Sequence, residues 1–161
     1  MKKISLFIAF IAMGLIAYAQ SDYVDLGLPS GTLWKNYNEK GHFTYDEATS
    51  RFGENLPTKK QWEELIKHCQ WTVMKKGYNI TGYKIIGPNG NSISLSAEGA
   101  SDWKKWKEGD EIDIKGVYYW TSTPLPDQAN AAWSVEQYDN KVYPSAYMGY
   151  YHMAVRLVKR R

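Results

Sequence analysis

The sequence predicts an α+β domain in which two short helices pack on small mixed or antiparallel sheets, with long loops on one side. Three observations predict it. Capped helical segments occur only before residue 70. Beyond that point short β-rich runs alternate with clusters of Gly, Pro, Asn and Asp that favour turns. No segment repeats, so the elements form one unit instead of an array.

At the front, residues 23–26 alternate, the Gly- and Pro-bearing stretch 27–31 breaks the pattern, and residues 32–37 alternate again. That is the signature of two short strands joined by a turn. Thr44 followed by Glu47 fits a capping box and Gly53 fits a C-terminal cap, which predicts a helix over Tyr45–Phe52. Thr58 and Gln61 form a second box. Behind it Trp62, Leu65, Ile66 and Cys69 fall at i, i+3, i+4 and i+7, while Lys60, Glu63, Glu64 and Lys67 take the other faces. This spacing gives an amphipathic helix whose apolar side belongs to the core.

After residue 70 the expected strands are 71–74, 82–86 and 92–96, the last two forming a hairpin across Asn89-Gly90. Residues 97–116 are polar and charged, with Trp103 and Trp106 embedded, and read as a long surface excursion with little regular structure. Strands follow at 117–121, 131–135, 142–147 and 154–158, separated by loops at 124–127 and 138–141.

The N-terminus reads as an export signal. Lys2 and Lys3 precede an apolar run over 4–16, and Ala17-Tyr18-Ala19 offers a cleavage site before Gln20. The run falls short of the roughly 18–20 residues that span a bilayer. The predicted organisation is therefore a signal peptide at 1–19 and a single domain at 20–161, exported to the periplasm, the cell surface or the medium. No second apolar run exists, so the mature chain is expected to carry no membrane span.

The formal charge is +3, from 20 Lys and Arg against 17 Asp and Glu, and Lys2 and Lys3 depart with the leader. A near-neutral mature domain argues against nucleic-acid binding through phosphate neutralisation. One cysteine allows no internal disulfide, zinc ribbon or redox Cys pair. Cys69, on the apolar side of its helix, reads as a buried inert thiol.

No catalytic set is legible. His42, His68 and His152 show no metalloprotease spacing, and neither a nucleophile elbow nor a phosphate loop is present. The chain is therefore expected to be no enzyme and to need no cofactor. Glu108, Asp110, Glu111 and Asp113 make an acidic patch without an EF-hand pattern. With Lys104, Lys105 and Lys107 beside it, the patch reads as a solvated loop and not a metal site.

Seven Trp and thirteen Tyr stand out instead. Trp103, Trp106, Tyr143, Tyr147, Tyr150 and Tyr151, with His152 beside them, are the candidate ligand-binding residues, because such rings give large rigid contact area with a polar handle. Tyr143 and Tyr147 also alternate on a strand, so core packing is equally open to them. Arg156, in an apolar terminal run, is expected to be buried only with partners.

Several segments resemble the Fibrobacter succinogenes major paralogous domain family. Residues 24–34, Val-Asp-Leu-Gly-Leu-Pro-Ser-Gly-Thr-Leu-Trp, are similar to its opening. Leu56-Pro57-Thr58 with Trp62 and Leu65 resembles its first long helix, and Tyr83 with Gly90-Asn91-Ser92-Ile93 and Leu95 resembles its central hairpin. Tyr119-Trp120-Thr121-Ser122-Thr123 and Ala154-Val155-Arg156-Leu157-Val158 resemble its later strands, with Ala154 and Leu157 as departures and residues 35–43 shortened. The resemblance implies a C-type-lectin-like fold. Domains of this fold include ligand-binding receptors, the diversified binding proteins of retroelement systems and sulfatase-activating oxidases. The oxidases use a cysteine pair that one Cys cannot supply. In the diversified proteins binding residues concentrate before the closing strand, here residues 148–151. The expected function is an exported, non-catalytic module recognising a glycan or a protein through aromatic loops. The competing expectation is a structural or assembly component of a bacterial surface or secreted complex.

Overall fold

The computed structural model describes residues 22–101, 114–128 and 130–161. The expected leader and the acidic patch at 108–113 lie outside them. Within them the protein is a small α+β fold of two short helices and several small antiparallel sheets.

β1 (Tyr23–Asp25) pairs with β2 (Leu33–Lys35), Val24 opposite Trp34. β11 (Val158–Lys159) pairs on the other side of β2, so the two ends of the described chain share a sheet. Both expected helices form, each on its capping box. α1 (Tyr45–Phe52) starts where Glu47 N donates to Thr44 Oγ1 at 3.3 Å and Thr44 N donates to the Glu47 carboxylate at 2.8 Å. It stops at Gly53, whose φ of 50° few other residues adopt. α2 (Lys59–His68) starts the same way on Thr58 and Gln61. Trp62 and Leu65 are fully buried, and Cys69 caps the helix end half-buried. Burial, with a smaller push from Glu64, raises the Cys69 thiol to about 11 and so keeps it protonated at neutral pH.

Two three-stranded meanders follow. β3 (Gln70–Lys76) and β4 (Asn79–Ile86) run longer than the sequence suggests, β5 (Ser92–Ser96) spans the expected residues, and the first turn shrinks to Gly77 and Tyr78. The register shifts between the pairs Met74–Gly82 and Lys75–Ile80, leaving Thr81 as a bulge in β4 beside Gly82 at φ 150°. A side chain on Gly82 would strike the Leu95 carbonyl oxygen. β7 (Tyr118–Pro124), β8 (Ala131–Tyr138) and β9 (Lys141–Met148) form the second meander. Its β8–β9 turn places Asp139 and Asn140 at φ 44° and 61°, the geometry that matches strand twist in a two-residue hairpin.

In the second meander β7 and the first half of β8 are covered on both faces, while β9 keeps exposed residues. Val117, Tyr119, Val135 and Val142 join Trp62 and Leu65 in one core cluster. Tyr118, Trp120 and Ala132 join Ala48 and Leu56 in the other. Two covered faces explain why 117–121 reads as a continuous apolar run.

The closing strand expected at 154–158 is broken. β10 (His152–Met153) pairs with β6 (Ala100–Ser101), Ala154 bridges to Tyr119, and only Val158 and Lys159 reach β2. The chain changes sheets here, and Arg156 sits in the crossing with its guanidinium bonded to two other segments. The described ends of the 97–116 stretch are paired, contrary to expectation: β6 lies at one end, and Ile114 at the other bridges back to Ala100. No helix among the described residues is long and apolar enough to cross a membrane.

Candidate binding surface

On β9, Tyr143, Ser145 and Tyr147 point to one face, because side chains alternate along a strand. Their register partners on β8 are Glu136, Ser134 and Ala132, and on β7 Tyr118 lies opposite Glu136. The small residues between leave room for the Tyr147 ring to lie along the strand. Its hydroxyl donates to Glu136 Oε2. The edge of Tyr118 meets Tyr147 at 6.0 Å between centroids, and Tyr147 meets Tyr151 edge-on at 5.3 Å. Tyr151 stacks on Tyr150 at 5.2 Å with 20° between planes. Four rings thus run from the core to the surface, where Tyr150 is 42% exposed.

The turn after β9 builds the outer half of this row. Gly149 N donates to Asn130 O at 2.7 Å, Tyr45 N donates to Gly149 O at 2.9 Å, and Tyr151 N donates to Met148 O at 3.1 Å. The tight closure sets Tyr150 and Tyr151 side by side. Burial first, and then the hydrogen bond and charge of Glu136, push the Tyr147 phenol well above its ordinary range. Burial and Glu136 push Tyr118 the same way. Both phenols stay protonated, so Tyr147 acts as a donor. The surface offers ring faces, hydroxyls and one carboxylate, which is the chemistry of contact.

Of the sequence-predicted residues, the structure brings Tyr147, Tyr150 and Tyr151 together. Tyr143, also 42% exposed, stands on the same face beside Glu136. His152 departs from expectation: it is only 8% exposed and pairs with Ser101, so it stands behind the surface. Burial lowers its pKa from the ordinary imidazole value, Glu47 opposing and His42 assisting. Trp103 and Trp106 lie outside the described residues. Their segment leaves at Ser101, opposite His152, and returns at Ile114, opposite Ala100. Sequence reading missed Tyr118 and Glu136. Their parity on neighbouring strands was the available signal, but it needs the register, which only pairing supplies.

A second polar centre surrounds Arg156, which is 1% exposed. Its Nε donates to Asn38 Oδ1 at 2.7 Å, Nη1 to Lys35 O at 2.8 Å and Nη2 to Ser94 O at 2.7 Å. Asn38 Nδ2 donates to Tyr119 Oη at 2.7 Å, and Tyr119 donates to Ser96 O at 2.7 Å. Asn38 also donates to the Glu98 carboxylate. Burial pulls the Arg156 pKa down from its ordinary value, while Tyr119 and Glu98 hold it up. The expected partners of this arginine are thus two carbonyls and an amide.

A cavity of about 770 Å³ lies elsewhere, between the Ser30 turn, the start of α2 and the chain end. Its hydroxyls satisfy each other: Ser30 Oγ donates to Glu64 at 2.5 Å and lies 2.6 Å from Thr32 Oγ1. No group of three or more His, Cys, Asp or Glu among the described residues could hold a metal ion. No family model, curated protein or solved structure matches this chain.

Proposed function

We propose that this chain is an exported, non-catalytic binding module of C-type-lectin-like fold that recognises a glycan or a protein through the tyrosine face. The observation that carries the reading is the row Tyr118–Tyr147–Tyr151–Tyr150, anchored in the core and surfacing at the turn before β10. Anchored rings lose little freedom on contact, so their area contributes to affinity at low entropic cost. The motif resemblance to the Fibrobacter succinogenes major paralogous domain family supports the fold. So does the sheet that joins the first and last described strands.

A glycan array probed with the exported chain, run beside a pull-down from the native envelope, tests the reading. Capture that disappears on Tyr150→Ala, with an unchanged circular-dichroism spectrum, supports it. Capture indifferent to Tyr150→Ala and to Tyr143→Ala refutes it. A second reading, a structural component of a surface complex, draws on Tyr78 and Tyr138. These stand at hairpin turns, Tyr138 74% exposed and Tyr78 entirely so. A constant protein partner lost on Tyr78→Ser favours that alternative.

A further inference from the structure

An open basin of about 520 Å³ lies between the loop after β2 and the outer strand β5, with Arg156 in its lining. Tyr37 forms part of the rim, 48% exposed. Asp22 pushes the Tyr37 phenol above its ordinary value, and Lys35 Nζ lies over the ring, 4.5 Å from its centroid. The wall beneath is fixed by the Arg156 network, which ties the loop to β5 through Asn38, Lys35 O and Ser94 O. The basin therefore needs little ordering before it binds.

Hydrogen-bonding capacity is left over on this wall. Glu98 Oε1 accepts from Asn38 and, at 2.9 Å, from Ser96, but Oε2 has no partner among the described residues. The Asn36 side-chain amide and the Ser94 hydroxyl also line the basin, and no described group bonds to either.

The charge inventory narrows the ligand. Lys35 pairs with Glu39. Arg156 and Glu98 offset each other across Asn38. Lys40 is the remaining lining charge, and it is exposed. An anion would meet two carboxylates, Glu39 and Glu98, and an organic cation would meet two basic side chains, Lys40 and Arg156. An apolar ligand would strand the free carboxylate oxygen, amide and hydroxyl, each of which is costly to desolvate unpaired. What remains is a neutral ligand carrying both an apolar ring face and several hydroxyls.

We infer that this basin is a saccharide site, in which the apolar face of a sugar ring lies on Tyr37 and ring hydroxyls bond to Glu98 Oε2, Asn36 and Ser94. The site shares no residue with the tyrosine face, so it stands or falls independently of the reading proposed above.

Saturation-transfer and chemical-shift titrations of the exported chain test it, with N-acetylglucosamine, methyl β-glucoside and methyl β-galactoside as probes at millimolar concentration. At least one probe should saturate and perturb the Tyr37 ring resonances. Tyr37→Ala and Ser94→Trp, both at exposed positions, should each weaken that binding at least about tenfold, or roughly 1.4 kcal/mol. Tyr150→Ala should leave it unchanged. Absence of saturable binding by all three probes overturns the inference. So does binding that survives both basin substitutions, or binding that Tyr150→Ala removes while they do not. In this last case the tyrosine face is the glycan site and the reading proposed above stands alone.

Discussion

The arginine centre and the tyrosine face are built alike and held differently. Each sets one charged side chain among aromatic hydroxyls: Arg156 beside Tyr119, and Glu136 beside Tyr147 and Tyr118. Arg156 is bonded to segments 62 to 121 residues away in sequence. Glu136 draws all its aromatic neighbours from the second meander. The arginine is sealed at 1% exposure, whereas Glu136 keeps partial access to solvent. A buried charge with distant partners is a tie between elements, and losing it strands several polar groups at once. A half-exposed charge with near partners is dispensable for folding and free to serve contact.

The sharpest test of that contrast is Arg156→Met. It leaves Lys35 O, Ser94 O and the Asn38 amide short of partners, and should destabilise by about 3–5 kcal/mol in urea denaturation. A cost within experimental error of zero would erase the distinction between the two regions.

Alkaline pH acts on both regions, because Tyr147 and Tyr118 are raised as well, and the share of the arginine centre is read through Tyr119. Burial raises the Tyr119 phenol to about 12 from 10.0, against the opposing influence of Arg156. A raised folded-state value means the stabilisation is complete below pH 10, where the unfolded phenol is also protonated. It declines as pH climbs from 10 towards 12, by on the order of 2 kcal/mol. Tyr119→Phe should remove its share of this slope in denaturation curves recorded from pH 9 upward, the rest belonging to the other raised phenols, at the expense of a lower plateau.

Tyr147→Phe should cost no more than about 1 kcal/mol, the typical worth of one hydrogen bond, because water can replace the hydroxyl at Glu136. Thermal melts at neutral pH measure it. A loss as large as that of Arg156→Met would mean that Glu136 is a tie as well. The smallest change should follow Tyr150→Ala, within about 0.5 kcal/mol because the ring is half in water. Its signature should be lost capture of ligand instead of lost stability.

Both helices were legible because their determinants are local. Thr44 with Glu47 and Thr58 with Gln61 act across three residues, and the Trp62–Leu65 stripe repeats within two turns. The row of Tyr147, Tyr150 and Tyr151 was legible for the same reason, since the three lie within one turn of chain. Arg156 announced that it needed partners but not which ones.

Register and sheet exchange were decided only by tertiary structure. The break of the closing strand, the pairing of Ser101 with His152 and the burial of that histidine depend on segments about fifty residues apart. Nothing in residues 35–41 or 94–98 marks them as walls of one basin, because Tyr37 and Glu98 become neighbours through the Arg156 network. Sequence alone determined what short-range sterics and hydrogen bonding can specify: caps, turns and the parity of apolar positions. The fold decided which polar groups meet, because that choice is settled by the free energy of burying distant segments together and not by any preference written within one of them.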